Sequence, residues 1–238
     1  ASSVGWSRGP WKARMSGRSS RRTDREVRRP WRLSVIVAAL ASSVVACDRS
    51  HTAGSQERKN EPVRVAAAAD LAVAFKEVGE AFQASSGKKV EFTFGSTGLL
   101  AKQIAEGAPY DVFAAANVSY VDEVVRSNAC LGDSKQLYAR GRIVMWSKDK
   151  ANLPKNIEEL KDPKFVKVAI ANPDHAPYGV AAQQAMTKAN VWTTVQPRTV
   201  FGENVQQAQM FAQSGNAEVA IIALSLAMTS GGSYVPID

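Results

Sequence analysis

Two short loops in this sequence carry hydroxyl groups and glycines immediately before stretches with a helical pattern. The first loop spans residues 94–98 (FGSTG), and the second spans residues 171–179 (ANPDHAPYG). The start of a helix offers unpaired backbone N–H groups and the positive end of the helix dipole, and together these features bind anions. One such loop lies in each half of the chain, so the sequence contains two candidate anion-binding loops.

The second loop also contains Asp174 and His175, which allow a catalytic or metal-binding interpretation. The only other histidine, His51, falls in a polar segment before the first predicted strand, and no second His or Cys lies at ligand spacing. No Ser-His-Asp order has the context of a nucleophile elbow. We therefore expect His175 to fix its loop through a hydrogen bond, with no catalytic residue, cofactor or metal cation. An exported α/β hydrolase with Asp174 and His175 in its cleft stays open as the alternative.

The formal net charge of +8 lies entirely at the start of the chain. Residues 1–46 contain 10 Lys and Arg against 2 Asp and Glu, whereas residues 47–238 contain 20 of each kind. A balanced body leaves no basic face to neutralise phosphates. We therefore expect no nucleic-acid partner.

The first 46 residues have the features of an export signal. An arginine-rich start precedes the apolar run 33–46, which is too short to span a bilayer and suits a signal peptide. The run ends in VVAC at 44–47, which resembles a bacterial lipobox and predicts lipidation of Cys47. A plain secretory signal cut near Ala46 is the alternative. Residues 47–62 are polar and predict a flexible tether between a membrane anchor and an exported body.

Strand and helix patterns alternate from Val63 onward, which favours an α/β fold with a parallel or mixed sheet covered by helices on both faces. The predicted strands are 63–68, 89–94, 111–115, 142–146, 166–171, 198–201 and 218–223, and the predicted helices are 71–82, 99–104, 118–127, 157–160, 178–188 and 205–213. Ligands of such sheets bind at the carboxyl ends of the strands. The candidate site is therefore formed by residues 68–70, 95–98, 172–178, 202–204 and 223–225.

These loops, in this order, resemble the substrate-binding proteins of bacterial molybdate and tungstate ABC importers. The matching stretches are 66–71 (AAAADL), 94–104 (FGSTGLLAKQI), 107–113 (GAPYDVF), 172–179 (NPDHAPYG), 202–205 (GENV) and 222–225 (IALS). The resemblance implies a two-lobed periplasmic binding protein of type II, with its ligand cleft between the lobes. Lobe 1 is expected at 63–139, with 225–238 returning to it, and lobe 2 at 140–224.

The resemblance also implies a site made of backbone N–H groups and hydroxyls around a tetrahedral dianion. Carried over by position, the ligand contacts fall at Asp70, Ser96, Thr97, Tyr178, Val205 and Ala223. Many members have Ser or Asn at the first position, where a carboxylate repels a dianion. We therefore expect the Asp70 side chain to cap the next helix or to turn outward, while a nearby backbone N–H faces the ligand. Some members have Tyr at the position of Ala223, and Ser225 is a possible replacement for that hydroxyl.

The function implied by the resemblance is capture of molybdate or tungstate and delivery to an ABC permease, by a lipid-anchored monomer on the periplasmic side of the membrane. The alternatives are an importer component for sulfate or phosphate, the exported hydrolase, and a sensory or adhesion lipoprotein that reuses the fold. Members of the family usually continue beyond the position of Asp238. We therefore expect the C-terminal part of lobe 1 to be missing and apolar surface to be exposed there.

Overall fold

The computed structural model describes residues 61–237, so the predicted export signal, Cys47 and the tether up to residue 60 lie outside the described residues. The strands are β1 Val63–Ala68, β2 Val90–Gly95, β3 Val112–Ala114, β4 Ile143–Ser147, β5 Val168–Ala171, β6 Thr199–Gly202, β7 Val219–Ala223 and β8 Ser233–Pro236. The helices are α1 Ala74–Ser86, α2 Thr97–Ala105, α3 Val118–Arg126, α4 Pro177–Lys188, α5 Trp192–Val195, α6 Val205–Gln213 and α7 Leu224–Thr229. Among the described residues, no helix combines the length and the apolar character needed to cross a membrane.

A smaller sheet contains the first three strands in the order β2-β1-β3, and all of them are parallel. The central strand β1 is a run of small apolar residues, and Ala66 and Ala67 have no exposed surface. Leu100 and Ile104 of α2 pack on one face, and the rings of Phe92 and Phe94 pack on the other. This packing fixes the carboxyl ends of β1 and β2 side by side.

A larger mixed sheet has the order β6-β5-β7-β4-β8. Strands β6, β5 and β7 are parallel, whereas β4 runs antiparallel to β7 and β8. Every residue of β5 and β7 is buried. This burial agrees with their sequences, which are continuous apolar runs typical of strands covered on both faces. Helices α4 and α6 pack on this sheet and begin at the carboxyl ends of β5 and β6.

The last described strand corrects the prediction that residues 225–238 return to lobe 1. Strand β8 pairs antiparallel with β4 in the larger sheet, with Met145 opposite Val235. The chain reaches this position through Gly231 and Gly232, which have positive φ angles of 67° and 75°. A Cβ on Gly232 would lie 2.7 Å from the Trp146 ring, so the turn requires glycine there. The boundary between 139 and 140 stays a prediction.

The helical spacing of Phe75, Val78 and Phe82 predicts one buried apolar face, and α1 contacts the smaller sheet through only part of that face. The Phe75 ring packs on the Phe92 ring at a centroid distance of 6.0 Å, and Gly79 lies directly against the same ring. Val78 and Phe82, which the apolar spacing places on the buried face, are 57% and 42% exposed. The small Gly79 allows the close approach and rotates these two side chains outward.

Candidate functional site

A small cavity lies where the predicted loops meet, at the carboxyl ends of β1 and β2 and the starts of α2, α4 and α6. Its volume is about 200 Å3, counting the space at its open mouth. The residues around it are Ala68, Ala69, Asp70, Gly95, Ser96, Thr97, Ala116, Ala176, Pro177, Tyr178, Asn204 and Val205. The structure therefore brings together five of the six predicted contact residues, and Ala223 is the exception.

Three of the residues that line this cavity lie at the first turns of helices, where backbone N–H groups have no acceptor within the helix. None of the described residues accepts a hydrogen bond from the amides of Thr97, Tyr178 and Val205. In α6, the Asn204 side chain accepts from the next two amides, which leaves the Val205 amide free. In α4, Pro177 occupies the first position and has no N–H, so Tyr178 carries the first available donor. Free amides and three helix dipoles make the cavity attractive to an anion.

The two hydroxyl side chains of the first loop have different roles. The Thr97 Oγ1 accepts a hydrogen bond from the Ala116 amide at 3.2 Å, which leaves the Thr97 proton free to be donated. The Ser96 hydroxyl instead donates to the His175 carbonyl oxygen at 2.6 Å. A hydroxyl has only one proton, so Thr97 provides the available hydroxyl donor and Ser96 connects the two loops.

The side chain of His175 strengthens the same connection. Its Nδ1 lies 2.9 Å from the Ser96 Oγ, and because the Ser96 proton is directed at a carbonyl, Nδ1 is the donor. The Gly98 amide also donates to the His175 carbonyl oxygen, at 2.9 Å. The predicted loop-fixing hydrogen bond of His175 is therefore confirmed. Asp174 is exposed, and the cavity lining contains neither its side chain nor that of His175.

The position of Asp70 corrects the expectation that its side chain caps a helix or turns outward. Strand β1 ends at Ala68, and residues 69–71 form a 3-10 turn before α1, so Asp70 lies within the turn and not at an N-cap. Its side chain is directed inward, and the residue is only 9% exposed. The Asp70 Oδ2 accepts a hydrogen bond from the Tyr178 hydroxyl at 2.8 Å, whereas Oδ1 is buried without a partner among the described residues.

Two phenols share the electrostatic environment of Asp70. Burial raises the pKa of Asp70 above its ordinary value of 3.8, and the hydrogen bond from Tyr178 offsets part of this rise. Burial, together with the charge of Asp70, raises the pKa of Tyr138 to about 12 and also raises the pKa of Tyr178. Both phenols therefore stay protonated. No Lys or Arg is among the described residues that line the cavity, so an anion there would meet backbone N–H dipoles and no cationic side chain of that lining.

Ala223 does not line the cavity, although it shares a core cluster with Val205. It is the last residue of β7, is 1% exposed and packs in the core of the larger sheet with Val144 and Trp146. Ser225, the proposed replacement for its missing hydroxyl, donates to the backbone oxygen of Asp70 at 3.2 Å. This contact links α7 to the turn after β1 without placing Ser225 in the cavity lining.

Sequence reasoning missed the loop that follows β3. Ala116 lines the cavity and donates to Thr97, and the neighbouring Ala115 carbonyl oxygen accepts a hydrogen bond from the Tyr138 hydroxyl at 2.8 Å. The rule that ligands bind at the carboxyl ends of strands would have identified residues 115–117, because they follow the third predicted strand.

Comparison with known proteins agrees with this geometry. The family described as bacterial extracellular solute-binding protein matches residues 63–238. The molybdate-binding protein ModA of Azotobacter vinelandii is 34% identical over 199 residues, which cover 84% of this chain and 75% of that protein. ModA of Rhodobacter capsulatus is 38% identical over 179 residues, covering 74% of this chain and 71% of that protein. The chain belongs to the family of periplasmic molybdate-binding proteins.

The family assignment extends to three dimensions. The solved structure of the Azotobacter vinelandii periplasmic molybdate-binding protein superposes with a TM-score of 0.66 and 29% identity, covering 74% of this chain and 82% of that one. The predicted two-lobed α/β fold is thus confirmed. The family consists of solute-binding proteins and not of enzymes. Within residues 61–237, no group of three or more His, Cys, Asp or Glu side chains could hold a metal ion.

Proposed function

We propose that this protein captures molybdate or tungstate outside the cytoplasm and passes it to an ABC importer. One observation carries the proposal: Thr97, Tyr178 and Val205, whose amides have no acceptor among the described residues, line a single cavity. No cationic side chain is among the described residues of its lining, and the Thr97 hydroxyl has a free proton. Fixed N–H dipoles can solvate an oxyanion with little reorganisation. The ligand named for the relatives, molybdate, is an anion of this kind.

Selection among dianions would follow from the size of the cavity. Donors held at helix starts cannot move closer together around a smaller anion. As a set, they therefore match ligands with one particular spacing between oxygens. Molybdate and tungstate are larger than sulfate. A cavity lined by residues at the starts of α2, α4 and α6 would therefore distinguish these anions through the number of hydrogen bonds that can form together.

A thermal-shift series on the full chain with molybdate, tungstate, sulfate and phosphate tests this proposal. A ligand that binds only the folded state raises the melting temperature by mass action. We expect molybdate and tungstate to raise it and sulfate to leave it unchanged. A clear melting transition that none of the four anions shifts would contradict the proposed function.

The side chain of Thr97 provides the corresponding test of the site. Thr97→Val keeps the shape but removes both the free donor and the acceptor of the Ala116 amide. We expect about tenfold weaker molybdate binding, roughly the effect of one charge-assisted hydrogen bond. Thr187→Val is the matched control, because Thr187 is exposed near the end of α4 and its hydroxyl bonds only to the Gln183 carbonyl. Equal affinities of the two variants would show that the Thr97 hydroxyl does not contact the anion.

Phosphate is the alternative ligand that a specific observation favours. The buried Oδ1 of Asp70 lacks a donor among the described residues, and a hydrogen phosphate ion carries a proton that it can donate there. The same anion series separates the two ligands. A melting temperature raised by phosphate alone would replace molybdate with phosphate as the cargo.

The proposal places the protein on the periplasmic side of the membrane, anchored by lipid on Cys47 and acting as a monomer with an ABC permease as its partner. Support comes from the lipobox-like VVAC sequence and from the family. Incorporation of labelled palmitate in bacteria tests the anchor, with Cys47→Ser expected to abolish labelling and Cys130→Ser, the matched control, expected to retain it. Labelling of the Cys47→Ser variant would disprove the anchor.

A further inference from the structure

We propose that this protein binds its oxyanion together with one proton, which is shared between the Asp70 Oδ1 and an oxygen of the anion. The inference rests on the proposed function and assigns Asp70 as the residue that couples binding to protons.

The observation behind this inference is the unpaired oxygen of Asp70. The carboxyl group lines the cavity, its residue is nine-tenths buried, and Oδ1 has no hydrogen-bond partner among the described residues. A buried polar atom without a partner is costly, and native structures rarely keep one without a reason. The Oδ2 already accepts from the Tyr178 hydroxyl. Oδ1 is therefore the oxygen of Asp70 that can accept a ligand proton, or carry a proton and donate it to a ligand.

The groups that face Asp70 cannot neutralise it. The titratable ones are two phenols, Tyr178 from α4 and Tyr138 from the segment before β4, and both stay protonated. The other elements packed against the turn contribute uncharged groups only: Gly95 from β2, the start of α6 at Val205, and the Ser225 hydroxyl of α7. An ionised Asp70 would thus remain a full negative charge at the edge of an anion site.

A proton converts this repulsion into a hydrogen bond. Two negative groups in contact repel, whereas a carboxylic acid donates from Oδ1 to an anion oxygen, and a protonated anion donates to Oδ1 in the same geometry. The proton comes from the solvent, and no other bond forms or breaks. Either location of the proton gives the same stoichiometry of one proton taken up per bound anion.

The pH dependence of affinity measures this stoichiometry directly. Molybdate dissociation constants of the full chain, measured by calorimetry between about pH 6 and about pH 8, should rise by about tenfold per pH unit if one proton is taken up. Repeating the titrations in buffers of different ionisation enthalpy gives the number of protons without any substitution. An uptake of zero protons in the wild-type protein would overturn the inference.

Two variants assign the proton to Asp70. In Asp70→Asn the amide donates without titrating, so the affinity should no longer depend on pH, and Asp70→Ser provides the same test should the first variant fail to fold. Asp174→Asn is the matched control, because this exposed carboxyl near the site lies outside the cavity lining and its removal should leave the slope unchanged.

A slope that persists in the Asp70 variants would overturn the inference while leaving the proposed function intact. Absence of binding in the wild type and in both variants, for every anion of the series, would instead reject the proposed function itself.

Discussion

The hydroxyl of Tyr178 donates to the Asp70 Oδ2 at 2.8 Å and so joins helix α4 of the larger sheet to the turn that follows β1 of the smaller sheet. The contact lies at the edge of the cavity and gives the two oxygens of the Asp70 carboxyl group different environments. The Oδ2 is satisfied by the protein, whereas Oδ1 is available to a ligand. A single residue thereby links the two sheets through one carboxyl oxygen and keeps the other without a partner among the described residues.

The buried carboxyl of Asp70 should make stability depend on pH. Its pKa is raised in the folded protein above the ordinary value of 3.8, so its contribution to stability is fully present below that value and is lost as pH rises through the folded pKa. Asp70→Asn does not titrate. The free energy of unfolding of this variant, relative to wild type, should therefore increase as pH rises from about 4 to neutral.

Urea denaturation without ligand at a series of pH values tests this expectation. Asp174→Asn shows the effect of removing an exposed carboxyl from the neighbouring surface. If the difference between Asp70→Asn and wild type stays constant over the whole pH range, burial does not raise the pKa of Asp70.

Removal of the Tyr178 hydroxyl should destabilise the protein. In Tyr178→Phe the Asp70 Oδ2 loses its donor, so both carboxyl oxygens are left without a partner among the described residues, at a cost of about 1–3 kcal/mol in the free energy of unfolding. The loss should be larger at neutral pH than in acid, because the hydrogen bond lowers the pKa of Asp70.

Denaturation of Tyr178→Phe beside Tyr234→Phe measures this effect. Tyr234 lies on β8 and is 40% exposed, so loss of its hydroxyl should change stability by less than about 0.5 kcal/mol. Equal stability of the two variants would mean that the Tyr178–Asp70 hydrogen bond contributes nothing to the fold.

Much of the site was predictable because its donors belong to the backbone. The strand and helix alternation predicts where helices begin, and a helix start carries free amides whatever its side chains are. The loops of Thr97, Tyr178 and Val205 therefore meet as predicted. The larger sheet was predictable for a related reason, since β5 and β7 are uniformly apolar and must be covered on both faces.

The side-chain arrangement was harder to predict because it depends on residues far apart in the sequence. Nothing close to Asp70 in the sequence reveals that the Tyr178 hydroxyl, 108 positions away, holds the carboxyl inward. The pairing of β8 with β4 likewise depends on the turn at Gly231 and Gly232, whose positive φ angles no helix or strand pattern reveals. The apolar spacing also predicted that Val78 and Phe82 of α1 are buried, whereas the small Gly79 determines which face approaches the sheet.

The hydrogen bonds between Ser96 and His175 should hold loops 94–98 and 171–179 together without contacting the ligand. Ser96→Ala removes the hydrogen bonds to the His175 carbonyl and Nδ1, so we expect a loss of about 1–3 kcal/mol in the free energy of unfolding and weaker molybdate binding. Ser134→Ala is the matched control, because its exposed hydroxyl bonds only to the nearby Leu131 carbonyl.

A double-mutant cycle separates the two hydrogen bonds of Ser96, one with the His175 carbonyl and one with the His175 ring. His175→Ala removes only the ring, and its effect in the Ser96→Ala background should be smaller than in wild type by about 0.5–1.5 kcal/mol. Additive effects of the two substitutions would show that the ring and the hydroxyl act independently.

Close backbone contact at Gly98 should make this position intolerant of any side chain. A Cβ there would lie 2.6 Å from the His175 carbonyl oxygen and 3.0 Å from the Tyr120 ring, so Gly98→Ala must push the two loops apart. We expect a loss of about 1–3 kcal/mol in the free energy of unfolding, together with weaker anion binding, since the Thr97 amide shifts with the loop.

Gly132→Ala is the control, because its Cβ would meet only Val125, at 3.2 Å. Calorimetric titration of both variants with molybdate measures the effect, and wild-type affinity in Gly98→Ala would show that contact between the loops is not needed for binding.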